Sequence, residues 1–380
     1  MDERKDFMFS RKDLQRLIIP LIVEQFLSIT IGMAVDNIMV LLINLFAALA
    51  TGGAIVSSQY IGREDLGKAC EAAKQLVLAV FVLSTAIGAI FVFGGPQVLG
   101  LLYHDIEADV MASAESYFFL TALSYPFIAL YNAGAALFRA MGNSKVSMTI
   151  SIVMNCINIG GNALFIFGFD MGAAGAALSP SLCRTAGMLM MLFAFFKSVE
   201  GATLSPRVLR PFPTDLLRWL LSIGLPAGGE GLSYNLSQST SLVFVNTIGT
   251  YAVTARMYMN MFAQVCYMLV NAVSQAAGII IGYCIGARDF DRADRENWRV
   301  LRLFAPVTMG IALLLAIFAR PLFSLFTTDE RVIALGCRTM WVEVVLEIGR
   351  AFNIVLVRNL QAVGDVKFPV ALGILSQWIV

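Results

Sequence analysis

Three charged residues inside one long apolar segment have the types and spacing of an ion-binding group. In the segment 337–358, Glu343, Glu347 and Arg350 follow one another at intervals of four and three positions. On a helix these intervals place all three side chains on one face. Arg350 can then neutralise one carboxylate and leave the other to bind a proton or a cation. The alternative is a static ion pair that only holds helices together.

The first apolar segment carries a polar strip along one helical face. At ~100° per residue its members fall within ~80° of one another: Gln25, Ser28, Gly32 and Asp36. Because an ionisable group inside a bilayer costs ~3 kcal/mol or more, such a strip is expected to face a cavity. Glu24, nearer the N-terminal end, is a second acidic candidate. The alternative places Asp36 at the membrane surface, solvated or capping a loop.

Polar stripes of the same kind occur in three more apolar segments. The segment 217–248 carries Glu230, Tyr234, Gln238 and Ser241 within ~80°. The segment 251–286 carries Arg256, Asn260, Gln264, Asn271 and Gln275 within ~100°. The segment 147–168 carries Asn155, Asn158 and Asn162. Amide groups both donate and accept hydrogen bonds, which suits ligands of varied shape, but they also join membrane helices to one another. Cavity lining and helix packing both remain open for these residues.

The elements that position these side chains must be membrane helices. Of the 380 residues 58% are hydrophobic and only 14% are charged, and the mean hydropathy is +0.76. Soluble domains carry ~25% charged residues, so this composition excludes a soluble globular protein and a disordered chain. At ~20 residues per span the chain holds about a dozen spans. The sequence predicts an all-α polytopic membrane protein.

Other classes of site are not indicated. A net charge of +1 provides no basic surface for nucleic acid. The six cysteines lack metal-type spacing and one histidine cannot build a metal site, so we expect neither a metal nor a cofactor. Because the sequence has no phosphate-binding loop and no nucleophile motif, we expect no enzyme activity. An ion gradient is the expected source of energy.

The distribution of Lys and Arg predicts the orientation of the chain, because these residues resist translocation. The N-terminal tail carries five of them, whereas the connection 94–116 carries none. The tail also lacks the apolar core of a secretory signal. We therefore expect a multi-pass protein with a cytoplasmic N-terminus, although Arg320, Arg331 and Arg338 break the alternation.

The two halves of the chain resemble each other. IGREDLGKA at 61–69 matches IGARDFDRA at 285–293, and similar stretches around Gly142 and Gly364 follow at nearly the same offset. Pro20 lies much closer to Ile61 along the chain than Pro226 does to Ile285. The repeat predicts an N-terminal bundle over 1–200, a cytoplasmic linker over 201–214 and an incomplete C-terminal bundle over 215–380. It also predicts that part of the first connection and the last helices are missing.

Five stretches in this order resemble the bacterial multidrug and toxic compound extrusion (MATE) transporters. They are PLIVEQFLSITIGMAVDNIMV from Pro20, SSQYIGREDLGKA from Ser57, LFRAMGNSKVSM from Leu137, NIGGNALFIFGFDMGAAGAALS from Asn158 and EIGRAFNIVLVRNLQAVGD from Glu347. The resemblance implies two pseudo-symmetric six-helix bundles of a twelve-helix plan, in the bacterial plasma (inner) membrane. It further implies alternating-access export of small cationic amphiphiles against H⁺ or Na⁺, with Asp36 as the first-span acid. A monomer suffices for this plan.

A lipid-linked saccharide flippase of the same broad fold is the alternative function. Such a protein needs a basic cavity for pyrophosphate. The acidic candidates Asp36, Glu24, Glu230, Glu343 and Glu347 argue against it.

Overall fold

A computed structural model describes residues 37–102, 108–169, 171–198 and 214–379. Within these ranges every regular element is a helix and no strand occurs, which agrees with the predicted all-α class. Four of the predicted site residues lie outside the described residues: Glu24, Gln25, Ser28 and Asp36.

The described helices follow one another with short connections. In chain order they are α1 (Asn37–Gly62), α2 (Leu66–Leu102), α3 (Ala108–Leu123), α4 (Tyr125–Ala140), α5 (Ser144–Asn162), α6 (Gly172–Ser198), α7 (Thr214–Ile248), α8 (Thr250–Gly286), α9 (Phe290–Ile317), α10 (Ala319–Ser324), α11 (Glu330–Val363) and α12 (Lys367–Ile379). A π-helical turn, Ala163–Gly168, continues α5.

Among the described residues, six stretches are long and apolar enough to cross a membrane. They are Leu42–Gly62, Leu66–Gly95, Ser144–Ile166, Gly175–Lys197, Thr250–Gly286 and Phe290–Ile317. The helices α7 and α11, of 35 and 34 residues, are also long enough, but they carry the polar and charged side chains discussed below. These polar side chains lower the mean hydropathy of α7 and α11, so the two helices are not among the six stretches named above.

The apolar segment 115–138 is long enough to be a single membrane span, but in the structure it belongs to two helices. The break lies at Ser124, between α3 and α4, and Pro126 stands in the first turn of α4. Proline is favoured there, because the first turn of a helix has no intrahelical partner for its N–H groups. The break is therefore encoded locally, by a residue that starts helices well and continues them poorly.

Backbone conformation repeats at the spacing that the sequence indicates. Only two described non-glycine residues have positive φ, Glu64 at 61° and Arg288 at 58°, and they occupy matching positions of the two repeated stretches. Gly142 and Gly364, with φ of 76° and 103°, are a second matching pair. Both halves thus make the same left-handed turns at corresponding positions.

The helix starts after the first pair of turns also correspond. The Asp65 side chain accepts a hydrogen bond from the backbone N–H of Lys68 at 3.0 Å, and Asp289 accepts one from the backbone N–H of Arg292 at 3.1 Å. Each aspartate satisfies an N–H group that has no partner inside its helix. The two halves therefore share the hydrogen bond that caps this helix as well as the sequence around it.

The described chain divides into two compact units. One contains the described residues of 27–61 and 65–228, and the other those of 62–64 and 229–380. The division falls at Gly228–Gly229, inside α7, whereas the linker predicted over 201–214 lies almost wholly outside the described residues. In the second unit α8 is largely buried and packs against α9 and α11. This packing of three helices positions the acidic residues.

Candidate functional site

The acidic cluster, defined as Glu343, Glu347 and Arg350, lies on one face of α11, where the residue spacing predicts it. The Arg350 Nη1 donates to Glu347 Oε2 at 2.8 Å and also to Glu343 Oε1. Both carboxylates are buried, with Glu347 fully so, while a quarter of the Arg350 side chain is accessible. One guanidinium nitrogen therefore bridges two buried carboxylates.

The acidic cluster has an unsatisfied anion. Two carboxylates and one guanidinium have a formal charge of −1 when ionised. The second oxygen of Glu347, Oε1, is buried and has no hydrogen-bond partner among the described residues. Burying an unpartnered charged oxygen is costly, so a proton or a cation bound there would lower the energy of the folded protein. The geometry is that of a carboxylate that can change its protonation state or bind a cation.

Side chains of α7 and α8 surround the acidic cluster. The buried thiol of Cys266, on α8, lies near all three members. Tyr234, on α7, and Tyr267, on α8, lie near Arg350. Both tyrosines are about half exposed, so the cluster lies near an accessible surface of its unit.

Glu230 and Arg358 make a second charged group in the same unit. They interact electrostatically, and Arg358 Nη1 donates to Gln361 Oε1 at 3.3 Å. Glu230 Oε1 also contacts α12, where it lies 2.7 Å from the position that a Cβ on Gly373 would occupy. Glu230, the acid predicted in the segment 217–248, thus lies among α7, α11 and α12.

In the polar stripe of α8, one side chain makes hydrogen bonds to described residues and the other four do not. Arg256 donates to Gln238 Oε1 at 2.9 Å and to Ser241 Oγ at 3.0 Å, which ties α8 to α7. The other four stripe residues make no side-chain hydrogen bond to any described residue: Asn260, Gln264, Asn271 and Gln275. Asn260 and Gln264 are exposed, whereas Asn271 and Gln275 are half-buried. The hydrogen-bonding groups of these four amide side chains are therefore not used by the described residues.

The three asparagines of α5 are engaged with their own helix and its neighbour. Asn155 Nδ2 donates to the carbonyl of Ser151 at 3.0 Å, and Asn162 Nδ2 donates to Asn158 Oδ1 at 3.1 Å. The carbonyl of Asn158 accepts from Ser179 on α6 at 2.9 Å. Hydrogen bonds of this kind are the ones that the helix-packing alternative requires.

A buried cation that the polar stripes do not include is Arg184, on α6. It is 3% exposed, and its Nη1 donates to Ser124 Oγ at 2.6 Å. Ser124 in turn donates to the carbonyl of Thr121 at 2.7 Å. Arg184 therefore anchors the break between α3 and α4. A lone arginine in an apolar segment is the only sequence signal for it, and that signal does not indicate a partner on a distant helix.

A cleft between α2 and α3 also escapes prediction from the sequence. Its volume is about 570 Å³, and the lining includes Phe91, Phe118, Phe119 and Glu115. Isolated aromatic residues are common in apolar helices. The sequence therefore does not indicate that these three phenylalanines lie close to Glu115.

Comparison with known proteins places the chain in a family. The MatE family model matches twice, over residues 20–164 and again over 226–380, so each half of the repeat matches it. The chain is 32% identical over 348 residues to the uncharacterized transporter YisQ of Bacillus subtilis, covering 90% of this chain and 76% of that protein. It is 23% identical to the probable multidrug resistance protein NorM of Streptococcus pneumoniae R6, covering 85% of this chain and 72% of NorM.

The fold matches solved structures of the same kind. A multidrug resistance MATE family transporter of the MOP superfamily, in an outward-facing conformation, superimposes with a TM-score of 0.86 at 16% identity, covering 96% of this chain and 85% of that one. The helices, the repeat and the double family match agree with one another. The chain belongs to the MATE family of membrane transporters, which are built on a twelve-helix plan.

Proposed function

We propose that this protein is a secondary active multidrug exporter that expels small organic cations in exchange for H⁺ or Na⁺. Membership of the MATE family supports the class of transporter. The pneumococcal relative, a probable multidrug resistance protein, supports the kind of substrate. The single observation that carries the coupling proposal is the buried Glu347 Oε1, which has no partner among the described residues.

Competition for the acidic cluster accounts for exchange. A proton on Glu347 removes the formal −1 charge and with it the attraction for a cation. Na⁺ or a cationic substrate instead stabilises the ionised carboxylate. If the two states favour openings to opposite sides of the membrane, binding of one ligand releases the other. Two ligands that exclude each other at a site with alternating access constitute antiport.

Other polar residues extend this proposal. Glu230 beside Arg358 is a further ion-coupling candidate, and Asp36, outside the described residues, is the candidate of the N-terminal half. The unengaged amides of α8 are candidates for contact with the substrate. We place the protein in the bacterial inner membrane with its N-terminus in the cytoplasm, acting as a single chain.

The flippase alternative is not favoured. A pyrophosphate-bearing substrate requires cationic side chains that are free to bind it. The three arginines of α8 and α11 that lie near the polar stripes already donate to protein acceptors: Arg256, Arg350 and Arg358. The acidic cluster, with a formal charge of −1, would repel that substrate.

Dye efflux from cells that express the chain tests the proposal. Glu347→Gln keeps the size of the side chain and removes its charge. We expect it to lower ethidium efflux by at least about tenfold, the change that a loss of ~1.4 kcal/mol in cation binding produces. Collapsing the proton gradient or the sodium gradient in turn, with a selective ionophore for each, identifies the coupling ion.

Glu330→Gln is the matched control on the same helix. Glu330 is exposed and pairs only with Arg320 at 3.5 Å among the described residues, so this variant is expected to retain full efflux. Equal efflux by Glu347→Gln and Glu330→Gln, at equal amounts in the membrane, would remove the acidic cluster from the mechanism. Efflux that persists with both gradients collapsed would contradict antiport.

A further inference from the structure

The N-terminal part of α9 carries a stripe of four arginines, Arg292, Arg295, Arg299 and Arg302. At ~100° per residue they fall within ~80° of one another. Trp298, which directly precedes Arg299 in the sequence, lies at one edge of this stripe and is 44% exposed. The arginine stripe, so defined, occupies the first turns of a membrane-spanning helix.

The arginine stripe lies on the exposed side of the helix. Further along α9 an overlapping face carries Leu303, Val307, Leu314 and Ile317, which are 47–57% exposed. The opposite face, with Leu301, Thr308 and Ala312, is buried against its neighbours. An exposed apolar face on a membrane helix contacts acyl chains, so the charged turns in line with it stand at the level of the headgroups.

Part of the charge on the arginine stripe is not used inside the protein. Arg299 pairs with Glu296 at 3.1 Å. Arg295 and Arg302, both exposed, make no hydrogen bond or ion pair with any described residue. Two guanidinium groups on the lipid-facing side are therefore available to an external anion.

The internal repeat shows that the start of the helix does not require this arginine stripe. The corresponding helix of the first half, α2, has the same aspartate cap and the same preceding left-handed turn. When the match of 61–69 with 285–293 is continued along both helices, Arg295, Arg299 and Arg302 correspond to Glu71, Gln75 and Leu78. At these three positions α9 therefore has arginines, whereas α2 has an acidic, an amide and an aliphatic side chain.

We propose that the arginine stripe of α9 binds the phosphate group of an anionic membrane lipid. Guanidinium groups bind phosphate oxygens in a bidentate manner, and their aliphatic stems can lie along the apolar face while the charge reaches the headgroup. Trp298 then lies at the membrane–water interface, the depth that tryptophan prefers. This binding site is independent of the transported compound and of the acidic cluster.

Tryptophan quenching by brominated lipids tests the proposal. In a variant that retains Trp298 and has Phe at the other three tryptophans, fluorescence is measured in vesicles of phosphatidylcholine and phosphatidylglycerol, with one lipid brominated at a time. One arginine near an anionic surface contributes about fivefold to binding. We therefore expect brominated phosphatidylglycerol to have at least about fivefold higher apparent affinity at Trp298 than brominated phosphatidylcholine. The joint change Arg295→Gln and Arg302→Gln is expected to reduce the ratio to about one.

A variant that retains only Trp378, on α12, serves as the control, because Trp378 is exposed and the residues 368–379 around it include no Lys or Arg. Its ratio is expected to stay near one. Equal quenching of Trp298 by the two lipids would overturn the proposal. Native mass spectrometry of the chain with all four tryptophans provides a second test. Phosphatidylglycerol adducts that are equally abundant with and without the double arginine change would overturn it as well.

Discussion

At the scale of single residues, the acidic cluster depends on one arginine. Arg350 donates to both Glu343 and Glu347 from the same nitrogen, and it is their only hydrogen-bond partner among the described residues. Removal of one partner from a buried ion pair is far more costly than removal of the whole group, because an uncompensated charge then stays buried. The stability of α11 and the proposed ion binding at the acidic cluster therefore depend on the same arginine.

Arg350→Met is expected to lower the melting temperature of the purified protein in detergent. It leaves two buried carboxylates without a counter-charge, at a cost of about 3–5 kcal/mol. Adding Glu343→Gln and Glu347→Gln to the same chain removes those charges and is expected to restore most of the loss. The control is Arg320→Met, whose pair with Glu330 is solvated on both sides and contributes at most about 1 kcal/mol. Equal melting temperatures for Arg350→Met and Arg320→Met would show that the bridge does not stabilise the fold.

At the scale of elements, the close approach of α10 to α11 positions the start of the long helix that carries the acidic cluster. Phe323, fully buried on α10, packs in a cluster with Phe262 and Met340. Its ring lies directly over Gly336 of α11, where a Cβ would overlap it. Glycine is needed there for space, because a rigid aromatic ring in a packed core cannot move aside easily.

Gly336→Ala is expected to destabilise the protein by about 1–3 kcal/mol, the usual cost of overpacking a buried contact. Gly349→Ala is the control on the same helix. A Cβ there has no neighbour within 4 Å, so the variant is expected to be neutral or to gain up to about 1 kcal/mol from helix propensity. Thermal unfolding of both variants checks the pair. A Gly336→Ala protein as stable as the unmutated one would contradict the packing argument.

At the scale of the whole molecule, the repeat and the charge distribution predict which ends of the helices face the cytoplasm. The corresponding turns at Glu64 and Arg288 lie beside basic residues in both halves. The connection between α10 and α11 is predicted on the outer side, although Arg320 and Arg331 flank it. The predicted orientation nevertheless keeps the N-terminus in the cytoplasm. Orientation follows the overall bias in Lys and Arg, and the other connections and the N-terminal tail agree with one another.

Cysteine labelling of intact cells tests this orientation. In a chain without its own six cysteines, Thr328→Cys is expected to react with a membrane-impermeant maleimide from outside. Lys68→Cys and Asp291→Cys are expected to react only after the membrane is permeabilised. All three positions are exposed, so accessibility of the side chain does not limit the reaction. The reverse pattern would place the N-terminus outside the cell.

The sequence by itself determined those properties of the protein that depend on local periodicity. Composition required membrane helices, and intervals of three and four positions placed Glu343, Glu347 and Arg350 on one face because one helical turn brings such residues together. The similarity of 61–69 to 285–293 predicted a repeat, which the paired turns and caps then confirmed. These are short-range properties, so no knowledge of packing was needed.

Only the tertiary structure decided which polar groups have partners. It joined Arg184 to Ser124 on a distant helix and engaged the asparagines of α5 in helix packing. It left the amides of α8 unengaged and one oxygen of Glu347 without a partner among the described residues. The same residue types occur in all of these places, so type and spacing cannot separate them. Partnership depends on which neighbouring helix lies within hydrogen-bond distance, and packing between distant segments sets that distance.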